Sequence, residues 1–442
     1  MMNQRDSADL TRVGPGTVMG AFMRQYWIPC LLSSELTADG PPVRLPLLGE
    51  KLIAFRDTAG RVGIMDHRCP HRCASLFLGR NEEGGLRCVY HGWKYAADGA
   101  CLDMPSVPDG ETLKSRIRAK AYKVQERAGL VWVYMGERTT PPPLPAIEPN
   151  LVDEADVRYA FVQRDCNWLQ ALEGDIDTSH FGFLHGGALD AGALDEDHPL
   201  YPTVVERAPR YEVAETPWGT GYGAFRGLPN GTTYWRCANF LFPFWTQTPA
   251  FPFAKAVHAR AWVPLDDEHM MFISVSWRRM DPFLSADMPG AADFARQGFF
   301  APMNYRPNST DWFGRWRLAE SEANDWMIDR GAQARGDSFT GLAGVHLQDQ
   351  AITESMGPIT DHALEHLTQA DQMVITTRRR LLEAARAFAA DGAPPPGVDD
   401  PEIFLGARSG FFTAPPERGW QEVYRTNVER AVRPAVRLEA AE

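Results

Sequence analysis

The chain has 442 residues, 44% of them apolar, with 45 basic against 57 acidic side chains and a formal charge of −12. Such a length allows two or three domains with real cores, while the acidic balance argues against nucleic acid or an anionic membrane as the main partner. No run approaches the roughly 18 apolar residues of a membrane span.

Residues 1–30 lack a basic start followed by an apolar core, so no signal peptide is expected and a cytoplasmic protein is. Seven cysteines is an odd and sparse count for this length, which favours metal ligation or burial over a disulfide framework. KLIAF and RVGIM flank the turn DTAG and predict a hairpin, and GLVWVYM (129–135) predicts a buried strand. Together they indicate a small β domain. TTPPPLPAIEPN (139–150) cannot continue a helix or a central strand and reads as a linker. Beyond it, Trp168, Leu169, Leu172 and Ile176 share one face of a predicted helix. Strands are expected at 232–242, 255–265 and 269–277, a short helix at 346–356, and a long helix at 370–392 that ends at Gly392. The segment after 397 reads as loop.

Residues 67–95, HRCPHRCASLFLGRNEEGGLRCVYHGWKY, hold the first constellation. Cys69-x-His71 and Cys88-x2-His91 each supply one sulfur and one imidazole. A [2Fe–2S] cluster with two cysteines on one iron and two histidines on the other needs that mix, and imidazole ligation raises its potential. Zinc also accepts Cys2His2, but zinc fingers usually pair cysteine with cysteine and histidine with histidine. The frame resembles the Rieske iron–sulfur proteins, and its CPH and CxxHGWxY boxes are similar to the ring-hydroxylating oxygenase branch. Cys73 stands where that family commonly has glycine or arginine, and burial as apolar filler is expected for it. His67 reads as an ordinary polar loop residue.

The second constellation is EGDIDTSHFGFLHGG (173–187). Two histidines and a carboxylate mark non-haem Fe(II) sites with open positions. His180 and His185 are five apart, so on an ideal helix their rings would diverge by about 140°. The helix must distort or end between them, and Gly186-Gly187 offers an end. Asp177-x2-His180-x4-His185, some 90 residues after the cluster boxes, resembles the mononuclear iron motif of Rieske oxygenases. The resemblance implies that Asp177 is not an iron ligand but a bridge, from an iron histidine to a cluster histidine of a neighbouring subunit, with His91 the favoured partner. A carboxylate on the far N–H of a ligating imidazole also fixes its tautomer. Glu173, one turn earlier, could line the same path, and Asp175 is expected in solvent by helical angle. For the third ligand the candidates are Asp349, Asp361 and Asp371. Asp349 is favoured because it opens a short helix with Glu354 five residues on, resembling the family's acid-led segment. Glu354 itself could be a plain solvated helix residue.

No plant-type ferredoxin cysteine run and no strand–GxGxxG–helix unit is found, and GTGYGAF (219–225) lies in a strand-like segment. Electrons should therefore come from a separate NAD(P)H-dependent reductase. Arg207, Arg210 and Arg236 bound the presumed pocket and would suit a substrate carboxylate if turned inward. The sequence most resembles the phthalate-dioxygenase-like group. That implies an α+β chain with a β-rich Rieske domain at 45–138 and the linker at 139–150. A helix-grip catalytic domain, an antiparallel sheet with helices, would follow at 151–392. Residues 1–44 would serve the catalytic domain, and 393–442 would form a Pro-rich tail. It further implies a terminal oxygenase that uses O2, a [2Fe–2S] cluster and Fe(II) to hydroxylate an aromatic carboxylate, in a homo-oligomer of three subunits or a dimer of trimers. An O-demethylase of methoxylated or aryl-ether acids is the alternative. A Rieske electron carrier is the competing class.

Overall fold

In the computed structural model of the chain, the described residues are 2–187, 201–278, 301–416 and 419–431, with Leu189, Gly192, Leu194, Glu196, His198 and Leu200. Two short helices, α1 (Gln4–Thr11) and α2 (Val18–Met23), open it and lead into β1 (Trp27–Leu32). Next come β2 (Val43–Leu47), β3 (Glu50–Arg56) and β4 (Val62–Asp66). The predicted hairpin is β3–β4, paired antiparallel from Leu52↔Asp66 to Arg56↔Val62. Four short strands follow: β5 (Arg80–Glu82), β6 (Gly85–Arg87), β7 (Lys94–Tyr95) and β8 (Cys101–Asp103). After the one-turn helix α3 (Gly110–Lys114) the chain returns in β9 (Ala121–Arg127) and β10 (Leu130–Tyr134). The larger sheet has the order β1-β10-β9-β4-β3-β2, and β5-β6-β7-β8 form a small sheet. Every residue of β10 is buried, as its unbroken apolar run requires.

The second half is built on β11 (Val157–Arg164), β12 (Arg210–Thr216), β13 (Gly219–Gly227), β14 (Thr233–Leu241), β15 (Trp245–Gln247), β16 (His258–Pro264) and β17 (Met270–Trp277). They pair antiparallel in the order β11-β17-β16-β15-β14-β13-β12. Helices α4 (Trp168–Ile176), α5 (Tyr201–Val205), α6 (Arg330–Arg335), α7 (Val345–Ser355) and α8 (Gln372–Asp391) are interspersed with and follow these strands. The long helix α8 ends on Gly392 at φ 66°, a conformation glycine adopts without strain. One apolar core runs through both halves, and Trp132 of β10 stacks on Trp245 of β15 with ring centroids 5.9 Å apart.

Three expectations are revised. Residues 1–44 divide between the halves: α1 and α2 pack on α8, whereas β1 and the start of β2 belong to the first sheet. The proline-rich linker is not a free tether, because the indole N–H of Trp27 donates to the Pro142 carbonyl at 2.6 Å and most of 144–150 is buried. The presumed tail is structured: β18 (Gly410–Ala414) pairs antiparallel with β14, and α9 (Trp420–Arg430) packs its Trp420, Val423 and Tyr424 into a core with Trp235 and Cys237. A lone five-residue strand after a proline cluster has too short a pattern to stand out in sequence.

Candidate metal centres

The two cysteine–histidine boxes lie on loops of parallel build. Cys69 and Cys73 close one loop, the Cys73 N–H donating to the Cys69 carbonyl at 2.9 Å, and Gly92 donates to Cys88 at the same distance in the other. The donor residue has positive φ in both, 59° at Cys73 and 75° at Gly92. Cys73 therefore occupies a position that suits glycine, and it is exposed rather than buried filler. Cys69 and Cys88 are buried free thiols. The His71 and His91 rings lie edge-to-face with centroids 4.4 Å apart, and His71 stacks on Trp93 at 4.3 Å. His71 Nδ1 is buried with no hydrogen-bond partner among the described residues. An orphaned imidazole nitrogen beside two buried sulfurs fits the donor set of a Rieske cluster. The Tyr95 hydroxyl lies 3.4 Å from Cys69 Sγ and would hydrogen-bond a cluster thiolate. His67 lies edge-on to Trp312, half-buried, apart from this set.

Asn167 caps α4, its Oδ1 accepting from the Leu169 N–H, while its amide donates to Thr11 and Asp267 carbonyls. The helix stops at Ile176, and Asp177 is its extended C-terminal cap. It therefore ends before both histidines, not between them. His180 opens a tight turn (His180–Gly182), and His185 follows a bend in which Leu184 N–H bonds the His180 carbonyl. The rings meet edge-to-face, Nε2 to Nε2 at 3.0 Å. Asp349 Oδ1 lies 3.1 Å from His185 Nε2 and 3.7 Å from His180 Nε2. One donor atom from each of these three residues lies within 4.8 Å of the others. Two imidazoles and one carboxylate converging from one side fit a mononuclear Fe(II) with open positions.

Asp349 is interior to α7 rather than at its start. Burial pushes its carboxyl pKa up, but His185, His180 and Arg164 outweigh that and hold it well below the carboxylate range. Asp361 caps a turn by accepting the Ala363 N–H, and Asp371 closes a capping box with Thr368, both away from the histidines. Asp177 Oδ2 stands 3.4 Å from His180 Nδ1, and its Oδ1 accepts the Ser179 N–H at 2.7 Å. Burial opposes its ionisation, yet the His180 contact holds its pKa below the usual value. Burial disfavours the charged His180, and the Asp177 and Asp349 carboxylates reverse that and raise its pKa.

Sequence reasoning missed Gln348. Its Nε2 donates to Thr340 Oγ1 and the Leu342 carbonyl, both at 3.1 Å, so its Oε1 faces His185 Nδ1 at 2.7 Å. That fixes the His185 tautomer and turns its Nε2 toward Asp349 and His180. Only its place beside Asp349 on the helix could have flagged it.

Asp175, expected in solvent, is buried. It forms an ion pair with Arg260 and accepts the Thr246 hydroxyl. The sheet approaches the face of α4 that helical angle alone left open. Glu173 does not line the metal site: Arg378 binds it through two bonds and Glu365 through two more. Glu354 is buried, accepting the Trp326 indole N–H and the Asp165 N–H, and burial raises its pKa.

Of the three arginines, only Arg236 lines the cavity of about 110 Å3 that also holds His180, His185 and Asp349. Its guanidinium lies 4.7 Å from the Phe181 ring centroid, it is 4% exposed, and among the described residues no carboxylate bonds it. Arg207 leans on Phe183 outside the cavity, and Arg210 is exposed on β12. A larger cavity of about 600 Å3 lies between α1 and α8. His362 and Glu365 line it and converge with Glu173, but Arg378 already binds both carboxylates, so the chemistry favours the smaller cavity.

Residues 26–121 match the family model of the Rieske [2Fe–2S] domain, and residues 133–440 match the LigXa C-terminal domain like family. The chain is 50% identical over 436 residues to the 3-chlorobenzoate-3,4-dioxygenase oxygenase subunit of Comamonas testosteroni, covering 97% of this chain and 99% of that one. It is 36% identical over 400 residues to the phthalate 4,5-dioxygenase oxygenase subunit of Pseudomonas putida, with 88% of each chain covered. The crystal structure of dicamba monooxygenase bound to dicamba shares the fold, with TM-score 0.55 at 17% identity, 84% of this chain and 99% of that chain being covered. The chain belongs to the Rieske non-haem iron oxygenases, as an oxygenase component that uses a [2Fe–2S] cluster, a mononuclear Fe(II) and O2.

Proposed function

We propose that this oxygenase hydroxylates an aromatic carboxylate, with electrons from a separate reductase. The observation that carries the reading is Arg236, a buried arginine without a carboxylate partner among the described residues, in the cavity shared with His180, His185 and Asp349. An isolated buried guanidinium is costly unless an anion completes it, and a carboxylate matches its fork. The names of the relatives, a chlorobenzoate and a phthalate enzyme, point to the same class.

In this reading Cys69, His71, Cys88 and His91 hold the cluster, and His180, His185 and Asp349 hold the iron. When bound, the cluster supplies electrons singly and the Fe(II) activates O2. Arg236 orients the acid so that the far edge of its ring faces the three ligands, while Phe181, Leu200 and Val345 exclude water from it. Gln348 and Asp177 hold the distal nitrogens of His185 and His180. Asp177 would also face His91 of a neighbouring subunit, which makes a trimer or a dimer of trimers the working assembly. Arg207 and Arg210 are withdrawn as substrate contacts.

The test is O2 uptake by protein loaded with both metals, with a surrogate reductase, across benzoates, phthalates and methoxy-aryl acids, followed by product analysis. Uptake coupled to a hydroxylated acid is expected, and a diol or a released aldehyde tells dihydroxylation from O-demethylation. No uptake with any aromatic acid would overturn the reading.

A further inference from the structure

The metal-side cavity holds two guanidiniums whose charges are handled differently. Arg236 has no bonded carboxylate among the described residues, and Arg226, buried on the same sheet face, adds a second positive charge at that end. Arg260 is held by Asp175 in an ion pair. Asp175 is fixed in turn by the Thr246 hydroxyl at 2.5 Å, and that hydroxyl oxygen accepts the Trp262 indole N–H at 2.8 Å. Both Asp175 and Arg260 line the cavity, and the Arg260 side chain is 26% exposed. It thus presents N–H donors to a ligand while its net charge is cancelled.

The strand register places the two arginines at opposite ends. Phe240 pairs with Thr246, and Thr246 pairs with Arg260, so these three form one row across β14, β15 and β16. Arg236 lies four residues from Phe240 on β14. Their backbones are therefore separated by about 13 Å along the strands and about 10 Å across them. The parity is even, so both side chains leave the same face, toward α4.

Building on the aromatic-acid reading, we propose that Arg260 and Asp175 form a specificity element that accepts an uncharged acceptor substituent and rejects a second carboxylate. The substrate class is then an aromatic monocarboxylate anchored at Arg236, with a hydroxyl, ether or halogen on the ring edge facing Arg260. A second carboxylate there would meet the Asp175 charge, and like charges at close range penalise the wrong ligand. Asp175 is the repulsive member and Arg260 the donor.

The test uses the holoenzyme with both metals and compares kcat/KM for 3-chlorobenzoate, 3-methoxybenzoate and benzene-1,3-dicarboxylate. The wild type should favour the two monocarboxylates at least tenfold. Asp175→Asn frees the Arg260 charge and should raise the relative kcat/KM of the dicarboxylate at least tenfold. Arg260→Met, which keeps Asp175 but removes the donors, should lower kcat/KM for 3-methoxybenzoate and leave the dicarboxylate poor. Equal use of all three acids by the wild type would overturn the proposal, as would an unchanged ratio in a folded, metal-loaded Asp175→Asn. If Asp175→Asn fails to fold, unimpaired turnover of 3-methoxybenzoate by Arg260→Met overturns it alone. Failure of the wild type on every aromatic acid would instead remove the underlying reading.

Discussion

Gln348 has one orientation open to it, because both amide protons are spent on Thr340 and Leu342. Its oxygen must therefore accept the His185 Nδ1–H, and the residue acts on the metal site through that ring. Gln348→Leu should weaken iron binding about 10–100-fold while leaving the visible cluster spectrum unchanged, as iron titration would show. His258 is a second residue whose environment sets its chemistry. Burial, with Arg260 and Arg408 nearby, pushes its pKa down to about 3, and it sits neutral against Thr248. Its folded pKa is depressed, so its contribution is complete above its unfolded pKa of about 6.5 and is lost as pH falls from there toward 3, at about 1.4 kcal/mol per pH unit. Chemical denaturation of wild type and His258→Gln between pH 7 and 4.5 should show the shallower acid decline in the variant. What could be read at this scale from sequence was ligand identity by type and spacing. What could not was the direction of a side chain: Asp175 and Glu354 look like solvated acids until the sheet, Arg260 and Trp326 are placed against them.

Among elements, α4 leads directly into the segment that carries Asp177, His180 and His185, and it is anchored at both ends. Asn167 ties its start to the end of α1 at Thr11 and to the turn at Asp267, and Glu173 ties its last turn to α8 through Arg378. Arg378 also holds Glu365, so one guanidinium neutralises two carboxylates, and its side chain is 4% exposed. Removing one partner of such a buried group leaves charges uncompensated. Arg378→Met should therefore destabilise the protein by about 3–5 kcal/mol, seen as a fall in Tm, and should loosen iron retention because α4 ends at Asp177. The helices α4, α7 and α8 and the β3–β4 hairpin were legible because each carries a clear period over enough residues. The end of α4 before His180 was not, since no proline or glycine stands at 176–179 to announce it. Nor was β18, which pairs with β14 more than 170 residues earlier in the chain.

At the scale of the whole molecule, two donor sets lie on different halves of one chain. The oxygenase reading needs them to work as one unit, with Asp177 as the link from the iron side. No helix among the described residues is long and apolar enough to cross a membrane. The order of the two motifs made the family legible, because each alone has a bland alternative and together they do not. Assembly was not legible, because it depends on which surfaces meet. The most direct measurement is a single turnover: chemically reduced protein, holding both metals and saturated with the best aromatic acid, is mixed with O2 while cluster absorbance and product are followed. In the wild type, cluster oxidation should accompany product formation. Asp177→Asn should keep both metals yet oxidise its cluster at least a hundredfold more slowly. Wild-type rates in that variant, with its metal content confirmed, would contradict the account.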